Sequence, residues 1–440
     1  IKKTKINLND GWNRRVVSGL QPTGSIHVGN YFGAVRRCVR LQDQGDDLML
    51  FIADLHAHTT PQDPIKVQEN TLDLTAYLLA SGVDPERTVL FAQSAVPRHA
   101  ELCWLLACLA THARLAHLPQ FKEKSANMKE VPIGLLLYPV LQAADILVYR
   151  GTHVPVGVDQ LQHLQVTSQL VKTFHHRFGR LFPTPQPILP DDGSDRVRSL
   201  RDPTKKMSKS DTDPKSRILL SDSDENIRLK IRKAVTDFTP QVTFDMDTRP
   251  GVSNLIMLHC LAADKLVEEA VEEADGLTTA QYKRVVSDAL CEALSPLRER
   301  AAELRRRPQL LRDVLRHGAA RARARADVVY ADVADRLGLT PVASEPRVLT
   351  HRSESMVVVL HGERVVGRGR RVGHVGSVGR VRRGGRALPQ QHHDVAQQLH
   401  GLRHCLRLLL GGERAPHGGL GQQLLSGEAW SVRRPRPGAF

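Results

Sequence analysis

Lys205-Lys206-Met207-Ser208-Lys209-Ser210 puts three ammonium groups and two hydroxyls into one short stretch. Like charges so close repel one another, so the stretch makes sense where a polyanion shares the charge. Lysine is a mobile point charge with three donors, which suits phosphate oxygens that move during a reaction. Asp202-Pro203 and Asp213-Pro214 bracket the segment as a loop. Alone, such a hexamer is more often a solvated basic loop. A second stretch shifts that balance: Gln21-Pro22-Thr23-Gly24-Ser25-Ile26-His27-Val28-Gly29-Asn30. It follows Arg15-Val16-Val17-Ser18-Gly19, which reads as a strand, and precedes Tyr31-Phe32-Gly33-Ala34-Val35-Arg36-Arg37, which reads as the start of a helix. A strand, a glycine turn and a helix start expose free N–H groups and the positive end of a dipole to an anion. His27 can donate to a phosphate, Gly29 lets a nucleotide approach the backbone, and Asn30 can donate and accept.

Together the two stretches resemble the paired signatures of class I aminoacyl-tRNA synthetases, with Asn30 in place of a second histidine. Ser18–Gly24, Gln120-Phe121-Lys122-Glu123-Lys124-Ser125, Tyr138–Leu147 and Val154–Gln160 further resemble the tryptophanyl-tRNA synthetases of bacterial and mitochondrial type, over residues 14 to 340. The resemblance implies ATP-dependent activation of L-tryptophan with Mg²⁺, then transfer to tRNA(Trp), by a homodimer with no membrane span. It implies an ATP site made by Gln21, Thr23, Gly24, His27, Val28, Gly29 and Asn30, by Gly157, Val158, Asp159 and Val197, and by Lys206, Met207, Ser208, Lys209 and Ser210. His27, Asn30, Lys124, Lys206 and Lys209 would carry the phosphate chemistry, and Gln120, Tyr138, Gln160, Val17 and His56 would face the amino acid. Two positions depart from the pattern: Val158 stands where glutamate is usual, and Val17 where an aromatic packs on the indole.

Asp145 is the most informative single residue. Val140, Leu141, Ala143, Ala144, Ile146, Leu147 and Val148 surround it with apolar side chains. A buried carboxylate needs a partner, since an unpaired charge costs several kcal/mol. A salt bridge or an internal cap would satisfy it; so would the indole N–H, the ring donor of tryptophan. A site built around that donor rejects phenylalanine, which would leave the carboxylate unpaired.

Elements must position these groups. Apolar runs at 48–54 and 88–94 end in polar residues and read as buried parallel strands, with helices expected at 67–81, 98–111 and from 133. This alternation predicts an α/β, Rossmann-like doubly wound parallel sheet with ligands at the strand C-termini. The catalytic domain is expected over 14–200 after a lead-in at 1–13, and the lysine loop over 201–213. An all-helical tRNA and anticodon-binding domain is expected over 214–339, with helices at 254–262, 265–273, 279–306, 309–316 and 321–337. Arg228, Lys230, Arg232 and Lys233 there form a basic run, read as a solvated face or a phosphate-contacting one.

The 440 residues suffice for two domains. No apolar run reaches the length of a membrane span. None of the six cysteines forms a CxxC pair, so neither a zinc site nor a disulfide framework is expected; His56 and His58 alone make a weak metal pair. The net charge of +15 is uneven: residues 341–440 hold 16 arginines against six acidic residues. That segment lacks Lys, Ile, Tyr and Asn, and 364–386 is a Gly/Arg/Val stretch. It reads as a disordered tail, from out-of-frame or intron-derived translation, with an RNA-binding tail as the alternative. Lys2, Lys3 and Lys5 suit the end of a transit peptide or a solvated lead-in. Arg201-Asp202-Pro203, Ala234–Thr239 and Thr152–Pro155 look like the animal mitochondrial form, which places the protein in the mitochondrial matrix, the cytoplasm of a bacterium being the alternative. A tyrosyl-tRNA synthetase, a non-catalytic RNA-binding relative and a generic adenylyltransferase are the competing readings.

Overall fold

Five short parallel strands carry the site. In the computed structural model, which describes residues 11–339 apart from Asn127, Asp191 and Ser210, they are β1 (Arg15–Leu20), β2 (Asp47–Ile52), β3 (Val89–Ala92), β4 (His153–Pro155) and β5 (Gln186–Ile188). The lead-in lysines and the tail at 340–440 lie outside the described residues. The sheet order is β3-β2-β1-β4-β5, so both halves diverge from β1. β1 pairs with β2 from Arg15↔Asp47 to Leu20↔Ile52. Val16, Val17, Met49, Leu50, Val89 and Leu90 are each at most 1% exposed. A parallel sheet with both faces covered demands such runs rather than polar–apolar alternation. All five strands end on one side of the sheet, and the strand order reverses between β1 and β4; an open α/β sheet takes its ligand there.

The covering helices follow local chemistry. Asp63 accepts the Ile65 and Lys66 amides, and Pro64 occupies the first turn, which starts the Pro64–Ala80 helix. Thr278 and Gln281 form a capping box at the start of Thr279–Arg305. That long helix packs against Pro64–Ala80, Asp224–Arg232 and Pro250–Ala263. Arg305 pairs with Asp73 and lies over the Tyr77 ring, fixing its end to the sheet's own helical cover.

Two expected helices, 309–316 and 321–337, are one helix, Pro308–Arg336. Gly318 does not break it. A Cβ at Gly318 would sit 1.7 Å from the Leu90 carbonyl oxygen, so glycine permits the helix to lie directly on β3. Ala319, Ala322, Ala326, Val329 and Val333 join the apolar core built on the sheet. The last helix therefore shares its core with the strands. The helix expected at 98–111 ends at Ala107, with Leu102 and Leu106 buried and Trp104 70% exposed.

Gly318→Ala is expected to lower stability by about 1–3 kcal/mol, because backbone rather than a movable side chain must yield. Denaturant unfolding at matched m-values measures it.

Candidate functional site

A cavity of about 300 Å³ opens beside the C-terminal ends of β1, β2 and β4. Asp145 lines it from the Ile133–Leu147 helix and is 1% exposed. His56 Nε2 lies 2.8 Å from its Oδ2, and Gln93 Nε2 and His99 Nδ1 lie 2.7 and 2.6 Å from its Oδ1. Burial alone would push this carboxyl up. The hydrogen bonds from His56 and His99, and their charge, outweigh that and hold it down at about 2. His99 Nε2 reaches the Tyr149 hydroxyl at 2.7 Å, so the network extends into the core. Three donors leave an ionised carboxylate with acceptor capacity to spare.

Val17 and Phe51 supply apolar wall. Phe51 lies directly opposite Gly19 in the β1–β2 register, and a Cβ on Gly19 would stand 2.5 Å from the Phe51 ring. An aromatic ring thus lines the cavity from the neighbouring strand, although position 17 holds valine. Gly151 makes room behind Val17, whose Cγ2 would be 2.7 Å from an added Cβ.

The opposite wall is polar. Tyr138 Oη lies 2.9 Å from both Gln120 Oε1 and His163 Nε2. His163 Nδ1 is 2.8 Å from Gln160 Oε1, and the Gln160 amide donates to Asp159 Oδ2 at 2.8 Å. Gly157 admits Asp159 closely: a Cβ there would meet Asp159 Oδ1 at 2.6 Å. Val158 is 61% exposed and makes part of a second cavity of about 490 Å³ with Gln120, Lys124, Asp159, Gln160 and Lys206.

The turn that carries His27 is tied through backbone to the segment just downstream of the lysine loop. Val28 N–H donates to the Ile218 carbonyl and Leu220 N–H to that of Ile26, both at 2.9 Å. The lysine loop is pinned upstream: Met207 N–H donates to the Val197 carbonyl at 3.2 Å and Ser199 N–H to that of Lys205 at 2.9 Å. Asn254 clamps Arg198 through its amide and carbonyl. Met207 and Val197 are buried and act as anchors. Ser210 lies outside the described residues. Gly24, at φ +77°, makes the turn that precedes His27. His27 Nδ1 accepts from the Asn30 amide at 3.3 Å, which leaves Nε2–H as its donor. Burial, then Lys209, Arg217 and Lys206, hold its pKa at about 3, so the ring is neutral. Asn30 Oδ1 is buried without a protein partner. Lys209 shares a third cavity, about 250 Å³, with Gln21, Thr23 and Asn30, and burial pushes its pKa down to about 8.

The structure therefore separates the lysines: Lys124 and Lys206 share one cavity and Lys209 lines another. Gln21 is common to the central cavity and the Lys209 side, and Gln120, Lys124 and Gln160 to the central cavity and the Lys206 side. Reading the sequence missed Phe51, Gln93, His99, Tyr149 and His163. A glycine facing Phe51 and single histidines on apolar helix faces were the available signals. His56 is buried on Asp145, while His58 is exposed and turned away from it.

A family model described as tRNA synthetases class I (W and Y) matches residues 11–295. The chain is 43% identical over 326 residues to a tryptophan–tRNA ligase of Caldanaerobacter subterraneus, covering 74% of this chain and 98% of that one. It is similar to the crystal structure of tryptophanyl-tRNA synthetase from Mycoplasma pneumoniae, at TM-score 0.69 and 32% identity over 74% of this chain and 98% of that one. It is also similar to the Campylobacter jejuni enzyme solved with ADP and tryptophan, at TM-score 0.63 and 30% identity, covering 74% of this chain and 100% of that one.

Asp145 titrates lower in the fold, at about 2, than its ordinary 3.8. Its ion pairs therefore stabilise the fold above pH 4, and that contribution is lost as pH falls toward 2. Asp145→Asn is expected to cost about 1–3 kcal/mol at pH 7. It should also flatten the acid side of the stability profile, read by urea unfolding from pH 7 to pH 3.

Proposed function

The chain belongs to the class I tRNA synthetases of the tryptophan and tyrosine branch, and from that premise we propose that it is a tryptophan–tRNA ligase. The observation that carries the choice of amino acid is the Asp145 carboxylate, ionised, held by three donors and lining a cavity walled by Phe51 and Val17. That pairing of apolar walls with one fixed acceptor suits the indole, whose single polar ring atom is an N–H donor.

In the first step the tryptophan carboxylate attacks the α-phosphorus of ATP, and pyrophosphate leaves with the electron pair of the broken P–O bond. The nucleophile is already an anion, so positioning and charge neutralisation are the main tasks. Neutral His27 offers its Nε2–H. Gln21 and Asn30 hold the nucleotide beside it, with Thr23, Gly24, Val28 and Gly29 shaping the turn. Lys209 closes from this side, and Lys206 and Lys124 from the other, with Met207 and Val197 anchoring the loop and Ser208 within it. Gly157, Val158 and Asp159 border the adenosine. Mg²⁺ would arrive on ATP as part of the substrate; Lys124 and Lys206 share one cavity with Glu123 and Asp159, and Lys209 stands in the other. In the second step the 3′-terminal ribose hydroxyl of tRNA(Trp) attacks the adenylate carbonyl and AMP leaves.

The helical layer over 214–339 presents a groove of about 870 Å³ lined by Arg228, Arg232, Lys283 and Arg284 with Glu225 and Asp288, the latter paired with Arg228; the excess of cations suits tRNA phosphates. Trp104 on the Arg98–Ala107 helix supports a homodimer through that face. No helix among the described residues is long and apolar enough to cross a membrane. The relatives reported above are bacterial, which supports the cytoplasm of a bacterium; the mitochondrial matrix rests on the three sequence blocks alone.

Amino-acid-dependent ATP–pyrophosphate exchange with tryptophan, tyrosine and phenylalanine tests the reading. Exchange with tryptophan alone is expected; exchange with tyrosine instead would overturn it. Lys209→Ala should reduce the exchange rate about a hundredfold or more while leaving tryptophan affinity within about twofold. A normal rate would remove the loop's assigned role. Trp104→Asp should shift the sedimentation profile from dimer to monomer.

A further inference from the structure

His163 is 1% exposed and lies one helical turn beyond Gln160, on the Leu161–Phe178 helix. We propose that His163 is a positioning residue for the substrate's α-ammonium: as a neutral imidazole carrying its proton on Nδ1, it fixes Tyr138 and Gln160 as acceptors toward that cation. The inference rests on reading the central cavity as a tryptophan site.

The proton positions follow from the surrounding bonds. The Gln160 amide nitrogen is turned to Asp159 Oδ2, so its carbonyl oxygen faces His163 Nδ1 at 2.8 Å. That contact requires a proton on Nδ1. Burial, then the charge of Lys124, pull the imidazole down to about 4 against the opposing charge of Asp159, so the ring holds one proton only. Nε2 is therefore bare, and at 2.9 Å it takes the Tyr138 O–H. The Tyr138 ring stands edge-on to the imidazole at 5.0 Å, which fixes the pair's orientation.

Gln120 completes the arrangement. Its amide nitrogen is turned to the Asp159 carbonyl at 3.1 Å, which leaves its oxygen 2.9 Å from Tyr138 Oη. One phenolic proton cannot satisfy both His163 and Gln120 at full strength. The Tyr138 O–H has Gln120 Oε1 as one acceptor at 2.9 Å and His163 Nε2 as the other; when the proton turns to His163, the oxygens of Tyr138 and Gln120 are both left as acceptors. They line the same cavity as Gln160, Lys124 and Asp145. An ammonium, with three donors and a positive charge, satisfies such a group most strongly, whereas an anionic substituent or one without a donor does not. Sequence spacing could not show this, because the acceptor state of Tyr138 is set by a histidine 25 residues away.

The test compares L-tryptophan with indole-3-propionate, which keeps the ring and carboxylate and lacks the ammonium, by titration calorimetry on the full chain. His163→Phe is expected to weaken tryptophan binding about ten- to a hundredfold and leave indole-3-propionate within about twofold, so that the preference between them collapses. His163→Gln, whose carbonyl can still accept from Tyr138, should keep the preference within about threefold of the parent. Tyr138→Phe leaves His163 in place and should lose the preference as His163→Phe does; it decides the matter if the phenylalanine variant at 163 does not fold. Parent protein that binds tryptophan, with the preference intact in either phenylalanine variant, overturns the role of His163 alone. A glutamine variant that behaves like phenylalanine shows a packing role and also overturns it. Parent protein that does not bind tryptophan removes the reading of the cavity, and this inference with it.

Discussion

A buried carboxylate must be neutralised where it stands, and Asp145 draws its donors from three separate places in the chain. His56 follows β2, Gln93 follows β3, and His99 sits in the Arg98–Ala107 helix. Breaking any one contact leaves charge poorly paired in an apolar surround, which costs more than an ordinary hydrogen bond. The constraint fixes the Ile133–Leu147 helix against the ends of two strands and so sets the floor of the cavity. It also fixes the chemical character of that floor, because the carboxylate stays ionised and can only accept.

From that floor outward the site is arranged by charge. The opposite wall is a chain of neutral groups ending at Asp159, with Lys124 over the Tyr138 ring, and Lys206 and Lys209 stand in two separate cavities. Mutual repulsion of three lysines is eased by this separation. Lys206 is exposed, and burial lowers the cost of discharging Lys209. The loop carrying them is not loosely attached. Its start is held by Val197 and Ser199, and Asn254 of the Pro250–Ala263 helix holds Arg198 in turn. Downstream of the loop, Ile218 and Leu220 are bonded to the turn that carries His27. Asp222 continues that connection, accepting from the Leu219 amide and pairing with buried Lys230, so the phosphate side is tied to the helical layer.

Much of this was legible beforehand. The apolar runs at 48–54 and 88–94 correspond to β2 and β3, because a doubly covered parallel strand leaves an unmistakable apolar run. The helix expected from 279 starts there, capped by Thr278, while the helix expected from 67 starts three residues earlier at Pro64, capped by Asp63. Pro308–Arg336 is one helix rather than the two expected because Gly318 lies inside it and serves a close approach to β3, which no local pattern indicates. The extent of the helix over 98–111 was overestimated because its apolar content hid an early end at Ala107.

The sequence by itself determined the type of chemistry: two cationic or amide-rich signatures for phosphates, one carboxylate in an apolar setting, and strands to hold both. These are properties of short segments, where residue type and spacing carry the information. Tertiary structure decided which groups meet. It set Phe51 across from Gly19 as an aromatic wall of the cavity, and gave Asp145 the donors Gln93 and His99. It also put His163 between Tyr138 and Gln160, and divided the lysines between two cavities. Contacts of this kind depend on strand register and helix placement, which no local pattern encodes, and they set the protonation states on which recognition rests.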